Sequence, residues 1–122
     1  MQSSFKSLIV ELILSGQANK ALDLLSKKHK IEKPKLKVGL PKGHKAKILG
    51  CYIAKNSSIT LYNRDLLTNP YIILHEFYHH LRTNINKKHL GTEKNANRFA
   101  LDYITVYNLK NQKIEHLTKL ER

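Results

Sequence analysis

Apolar residues recur at helical spacing in four stretches of this chain, and shorter runs of strand character lie between the second and the third. Phe5, Leu8, Ile9, Leu12 and Ile13 form a helical stripe over residues 4 to 14, with Ser3 or Ser4 able to cap it and Gly16 placed to stop it. Ala18, Ala21, Leu22 and Leu25 share one face of a second helix over residues 18 to 28. The two read as a helical hairpin packed on the rest of the domain. At Lys33 the pattern changes. Pro34 ends helical continuation, and Lys35-Leu36-Lys37-Val38 alternates as a strand does. Gly39, Pro41 and Gly43 mark a loop. Ile48 to Ala54 is apolar and partly β-branched, with Gly50 inside it, and Ser58 to Tyr62 alternates again. Asn69-Pro70 opens a third helix, Asn69 as cap and Pro70 at the first helical position, that is apolar nearly all round through Leu81. Residues 84 to 91 are a polar loop, after which Thr92 caps a last long helix.

The fold class expected is therefore α+β: a small, mostly antiparallel three-stranded sheet packed on the last two helices, preceded by the helical hairpin. A length of 122 residues suits one domain. Residues 1 to 30 form its N-terminal helices, 31 to 108 its core and 109 to 122 a C-terminal helix or tail.

Composition narrows the class. Hydrophobic residues make up 41% and charged residues 25%, the profile of a globular protein. Cys51 is the one cysteine, which excludes an intrachain disulfide and a cysteine-built zinc cluster. The apolar run from Leu8 to Leu14 is interrupted by Glu11 and is too short to span a bilayer. The expectation is a soluble cytoplasmic protein without membrane partners. The net charge is +13, and nine lysines lie between Lys27 and Lys47 against one acid, Glu32. Such a patch attracts polyanions, nucleic acid among them, although lysine-rich solvation explains the same residues. It carries no interleaved aromatics, which argues against single-strand stacking.

Candidate chemistry concentrates in the third helix, at His75-Glu76-Phe77-Tyr78-His79. Positions i and i+4 lie on one helix face, so His75 and His79 can present two imidazoles to one point. Two neutral imidazoles suit Zn²⁺, and a carboxylate just outside the pair, Glu76, can take a proton from a metal-bound water. This is the H-E-x-x-H arrangement of zinc peptidases. A third ligand must return from elsewhere. On a helical wheel Glu93 shares the side of the last helix that carries Ala96, Phe99, Ala100, Tyr103, Ile104 and Tyr107. An acid on an apolar face needs a cation to meet it, and the small Ala96 and Ala100 allow a close approach of the two helices. His89, in the lysine-rich loop, is the competing ligand. Asn97, one turn beyond Glu93, can accept a hydrogen bond from His75 in support of the metal. Tyr103 and Tyr107, ahead of Tyr78, are candidate phenols for an oxyanion, and Arg82 for a substrate carboxylate; core packing and a surface ion pair are the plainer readings of these residues. His80 points roughly 140° from His75 and is not expected to be a ligand. Cys51 is expected in the core.

His75-Glu76-x-x-His79, followed by Glu93-x-x-Ala96-x-x-Phe99-Ala100, resembles the gluzincin metallopeptidases, most closely the compact branch of minigluzincins and ImmA/IrrE-type proteins. The likeness spans roughly residues 35 to 107. It implies that His75, His79 and Glu93 ligate zinc and that Glu76 is general base and acid. It also implies that an edge strand, Ser58 to Tyr62, aligns a peptide or protein substrate through its backbone. The second domain that closes the cleft of larger gluzincins has no counterpart here, so no oxyanion donor is assigned. Latency is also implied: residues 110 to 122 would block the cleft, with Glu115 or His116 near the metal. A plain C-terminal helix carrying Ile114, Leu117 and Leu120 fits the same residues. The non-enzymatic alternative is a zinc-stabilised regulatory or DNA-binding protein using the Lys27–Lys47 patch.

Overall fold

Helix capping divides the chain much as the periodicity predicts. The structure, a computed structural model, describes residues 2–39, 49–86 and 91–120, with side chains over 4–39, 49–86 and 91–113. Helix α1 (Gln2–Leu14) ends where Gly16 takes φ +85°; Gln17 N–H returns to Leu12 O and Gly16 N–H to Ile13 O, a closed Schellman cap. Helix α2 (Ala18–His29) ends in the same pair of bonds around Lys30, at φ 58°. A side chain in that region costs about 1–2 kcal/mol, a cost offset here by the buried face of Ala18, Ala21, Leu22 and Leu25.

The sheet has the order β1-β3-β2. Strand β1 (Lys35–Val38) pairs in parallel with β3 (Ser58–Leu61), and β2 (Gly50–Ile53) pairs antiparallel with β3. The sheet is thus mixed rather than mostly antiparallel, because alternation specifies which face a residue takes but not the direction of its strand. The hairpin from β2 to β3 turns through a short 3-10 helix (Ala54–Asn56) and Ser57 at φ 51°. The Ser58–Tyr62 segment is also not an edge. Both sides of β3 are occupied: Gly39 N–H bonds Leu61 O on one flank and Tyr62 N–H bonds Leu49 O on the other. All four residues of β3 are buried. Among the described residues the edge strands are β1, carrying exposed Lys35 and Lys37, and β2. Exposed lysines on an edge strand discourage edge-to-edge pairing.

Asn69 caps α3 (Pro70–Ile85), its side chain accepting from Ile72 N–H at 3.1 Å, and Pro70 occupies the first turn. Thr92 caps α4 (Glu93–Leu120), with Asn95 N–H on Thr92 Oγ1 at 3.1 Å. Helix α4 packs along both α1 and α3, and α3 lies against β2 and β3. One cluster joins Ile9, Ile13, Leu22 and Leu25 of the N-terminal hairpin to Ile59, Leu61, Ile73, Phe77, Ala100 and Tyr103. The hairpin therefore belongs to the same core as the site helices.

Helix α4 continues unbroken past residue 109. Residues 108 to 113 are all exposed, and six successive residues circle the helix, so it stands clear of the body there. At 1.5 Å per residue, position 115 lies about 33 Å along the axis from Glu93. A tail on this helix leads away from its own N-terminus and does not plug a cleft beside Glu93. The side chains of Ile114, Glu115, His116, Leu117 and Leu120 lie outside those described, as do His89 and the Lys42, Lys45 and Lys47 part of the basic patch. Among the described residues, no helix is long and apolar enough to cross a membrane.

Candidate metal centre

Three donors converge where α3, the start of α4 and β2 meet. His75 and His79 project from one face of α3, as their spacing requires, with ring centroids 5.1 Å apart. Glu93 Oε2 lies 2.5 Å from His75 Nε2, and Glu93 Oε1 lies 3.4 Å from His79 Nε2. One donor atom from each residue falls within a 4.8 Å span, and the three together can hold a metal ion. Ligands about 2.0–2.1 Å from a tetrahedral zinc stand roughly 3.4 Å from each other. The His79–Glu93 separation meets that spacing; the closer His75–Glu93 contact opens by rotation of the Glu93 side chain. Two imidazole nitrogens and a carboxylate oxygen are a donor set suited to zinc.

Glu93 is in the expected place for a different reason. Its side chain is 75% exposed, so it does not occupy an apolar face. It is the first residue of α4, at the rim, where the helix dipole favours an acid. Gly91 brings it there: at φ +79°, an added Cβ would stand 2.5 Å from the Tyr78 ring and 2.9 Å from Arg82 Cγ. Only a glycine lets the chain pass this close to α3 before turning into α4.

Asn97 does what its position predicts. Its Oδ1 lies 2.8 Å from His75 Nδ1 and accepts the Tyr71 hydroxyl at 2.6 Å. An amide oxygen only accepts, so His75 donates from Nδ1 to Asn97, and Nε2 is the ring nitrogen directed at the shared point. The sequence reading missed Tyr71; its spacing four residues before His75, hence on the same face of α3, is the signal that locates it.

Glu76 is buried, with 10% of its side chain exposed, and its carboxylate comes within 3.9 Å of His75 Nε2. Burial raises its pKa, His75 and His79 pull it back, Glu93 raises it, and the nearby Tyr52 backbone N–H lowers it. A carboxyl shifted upward suits a group that takes and returns a proton.

The donors open into a cleft of about 580 Å³, walled by Leu49, Gly50, Cys51 and Tyr52 of the β2 edge and by Tyr71 and Ile72 of α3. Cys51 is half-buried on this wall rather than fully in the core, and its thiol pKa is raised by burial and by the charge of Glu76. Tyr103 and Tyr107 do not line it. Tyr103 is a core residue, 3% exposed, packed on Phe99, with its hydroxyl pushed up to about 12 by burial. Tyr107 packs against that core from the side, and Tyr78 lies between Phe99 and Gly91. Both tyrosines named for the oxyanion follow the buried stripe of α4, which diverges from the cleft within two turns of Glu93. Arg82 sits beside Gly91, one turn beyond the cleft lining. Asn97 and the three donors are therefore brought together with Glu76, and Tyr103, Tyr107 and Arg82 are not.

No protein-family model, curated protein or solved structure matches this chain.

Proposed function

We propose that the protein is a zinc-dependent peptidase with His75, His79 and Glu93 as metal ligands and Glu76 as general base and acid. The observation that carries this reading is the meeting of three donor atoms within 4.8 Å beside a buried carboxylate on a cleft wall. A zinc ion at such a set supplies a Lewis acid that polarises a carbonyl and acidifies a bound water. Glu76 then takes a proton from the attacking water and hands it to the leaving amine. Tyr71 and Asn97 keep His75 in the tautomer that ligates.

Substrate alignment passes to β2. In its antiparallel register with β3, the 49–62 and 51–60 pairs exchange the ladder bonds, so Gly50 turns its N–H and C=O off the free edge, toward the cleft. An extended peptide adds there by backbone pairing. The test pairs two measurements. Wild-type protein takes up one zinc and cleaves an unfolded fluorogenic protein; Glu76→Gln retains the zinc and loses cleavage. Zinc-loaded wild type that leaves every unfolded substrate intact would exclude peptidase activity.

One observation favours a second reading. Lys33, Lys35 and Lys37 are exposed and alternate with buried Pro34 and half-buried Leu36, a lysine row repeating about every 6.6 Å along β1. A polyanion bound there lies across the sheet from the metal site. Salt-sensitive duplex binding that survives Glu76→Gln would support it, and absent or salt-insensitive binding would not.

A further inference from the structure

His80 directly follows a metal donor yet takes no part in the donor set. It is 1% exposed, and both of its ring nitrogens are engaged. Nε2 lies 2.7 Å from the Glu32 carbonyl oxygen, which only accepts, so Nε2 carries the proton. Nδ1 is then an acceptor and takes the Tyr52 hydroxyl at 2.8 Å. The Asn84 amide, which donates to the His80 carbonyl at 2.8 Å, holds the same turn of helix. His80 therefore joins three segments: the α2–β1 connection, the β2 edge and α3.

Tyr52 is the informative partner because it is held at both ends. The register that turns Gly50 outward also turns Tyr52 N–H away from β3, so the ladder does not bond it. That N–H is turned toward the cleft wall it shares with Glu76, and it favours the charged form of the Glu76 carboxylate. The line runs from Glu32 O through the His80 ring and the Tyr52 phenol, along one residue of backbone, to Glu76.

We propose that His80 is a positioning residue for Glu76: it clamps the Tyr52 phenol, and the Tyr52 backbone N–H in turn holds the carboxylate in place beside the metal donors. The functional meaning of this clamp rests on the reading of Glu76 as the base, whereas the clamp itself does not. A neutral hydrogen bond contributes about 0.5–1.5 kcal/mol net, so releasing one end of Tyr52 loosens the other by roughly two- to thirteenfold in an opening equilibrium. A histidine that only filled the core would leave the Tyr52 amide indifferent to the phenol.

The test is residue-resolved amide exchange on the metal-free protein, with the Tyr62 N–H, bonded to Leu49 O in the β2–β3 ladder, as internal reference. Tyr52→Phe keeps the ring and removes the hydroxyl; His80→Phe keeps the volume and removes both bonds. In each, the residue-52 amide should exchange about tenfold faster with the Tyr62 amide unchanged, and Glu76→Ala should release the residue-52 amide alone. Unchanged exchange at residue 52 in Tyr52→Phe overturns the proposal, as does equal acceleration at residues 52 and 62, the mark of general loosening. Tyr52→Phe guards against an unfolded His80→Phe. No zinc or turnover is needed, so an inactive protein does not obscure the result. Where peptide is cleaved, Tyr52→Phe should lower kcat about tenfold with KM held.

Discussion

Replacing Asn97 by leucine probes the support of the metal site while leaving its three ligands in place. The change keeps the side-chain volume and removes the acceptor shared by His75 Nδ1, at 2.8 Å, and the Tyr71 hydroxyl, at 2.6 Å. Two neutral hydrogen bonds at about 0.5–1.5 kcal/mol each put the loss of folding stability at about 1–3 kcal/mol. Both donors line the cleft, where solvent can replace part of the loss, so the lower half of that range is expected. The effect on zinc is larger relative to its size. Without the acceptor, nothing holds His75 in the Nδ1–H tautomer, and removing such a support costs about 10- to 100-fold in metal affinity, or about 1.4–2.7 kcal/mol. Chelator competition on folded Asn97→Leu measures this directly. Asn97→Asp, which keeps an acceptor, should retain wild-type affinity or exceed it, and Tyr71→Phe, which removes one of the two bonds, should lose only about threefold. Asn97→Leu binding zinc within twofold of wild type would refute the assignment of the His75 tautomer, and with it the use of Nε2 as the ligand atom.

Further outcomes follow from other residues. Gly91→Ala places a Cβ in the left-handed region and against the Tyr78 ring, so about 2–4 kcal/mol of stability should be lost in urea unfolding; an unchanged midpoint would contradict the close passage of the chain over α3. Glu93→Gln alters a 75% exposed side chain, so stability of the metal-free protein should stay within about 0.5 kcal/mol while zinc affinity collapses, as calorimetric titration can show. The pKa values of His29 and His80 are lowered chiefly by burial, so each takes its proton more readily when unfolded. Their contribution is full above the unfolded value near 6.5 and is lost as pH falls below it. Glu76 acts in the opposite sense, since burial favours its neutral acid. The comparison therefore belongs in metal-free Glu76→Gln, where the urea midpoint should drop from pH 7.5 to pH 5.5; a flat or rising midpoint contradicts the burial of these histidines.

Local chemistry made much of this architecture readable. Gly16, Asn69-Pro70 and Thr92 act within a turn or two of themselves, so their caps appear where the residues predict. His75, His79 and Asn97 are related by single helical turns and were equally legible. What failed depends on distant partners. Alternation in Ser58–Tyr62 says nothing about which strands flank it, and the segment is the middle of the sheet, leaving β2 as the edge beside the site. The wheel puts Glu93 on a buried face, but a wheel has no end, and at the first position of α4 the side chain stands at the rim, 75% exposed. Tyr103 and Tyr107 lie on the stripe that packs the core, while Tyr52, from a strand paired elsewhere, reaches the site by a path that no spacing announces.

The central claim is that two imidazoles and one carboxylate bind a single zinc ion, and X-ray absorption of the zinc-loaded protein tests it most directly. Cys51 lines the same cleft but is not among the donors that come together, so a sulfur neighbour is not expected. The account predicts one zinc per chain with nitrogen and oxygen neighbours at about 2.0–2.1 Å and an imidazole pattern for two histidines. A sulfur neighbour at about 2.3 Å, or a protein that takes up no zinc, would contradict it.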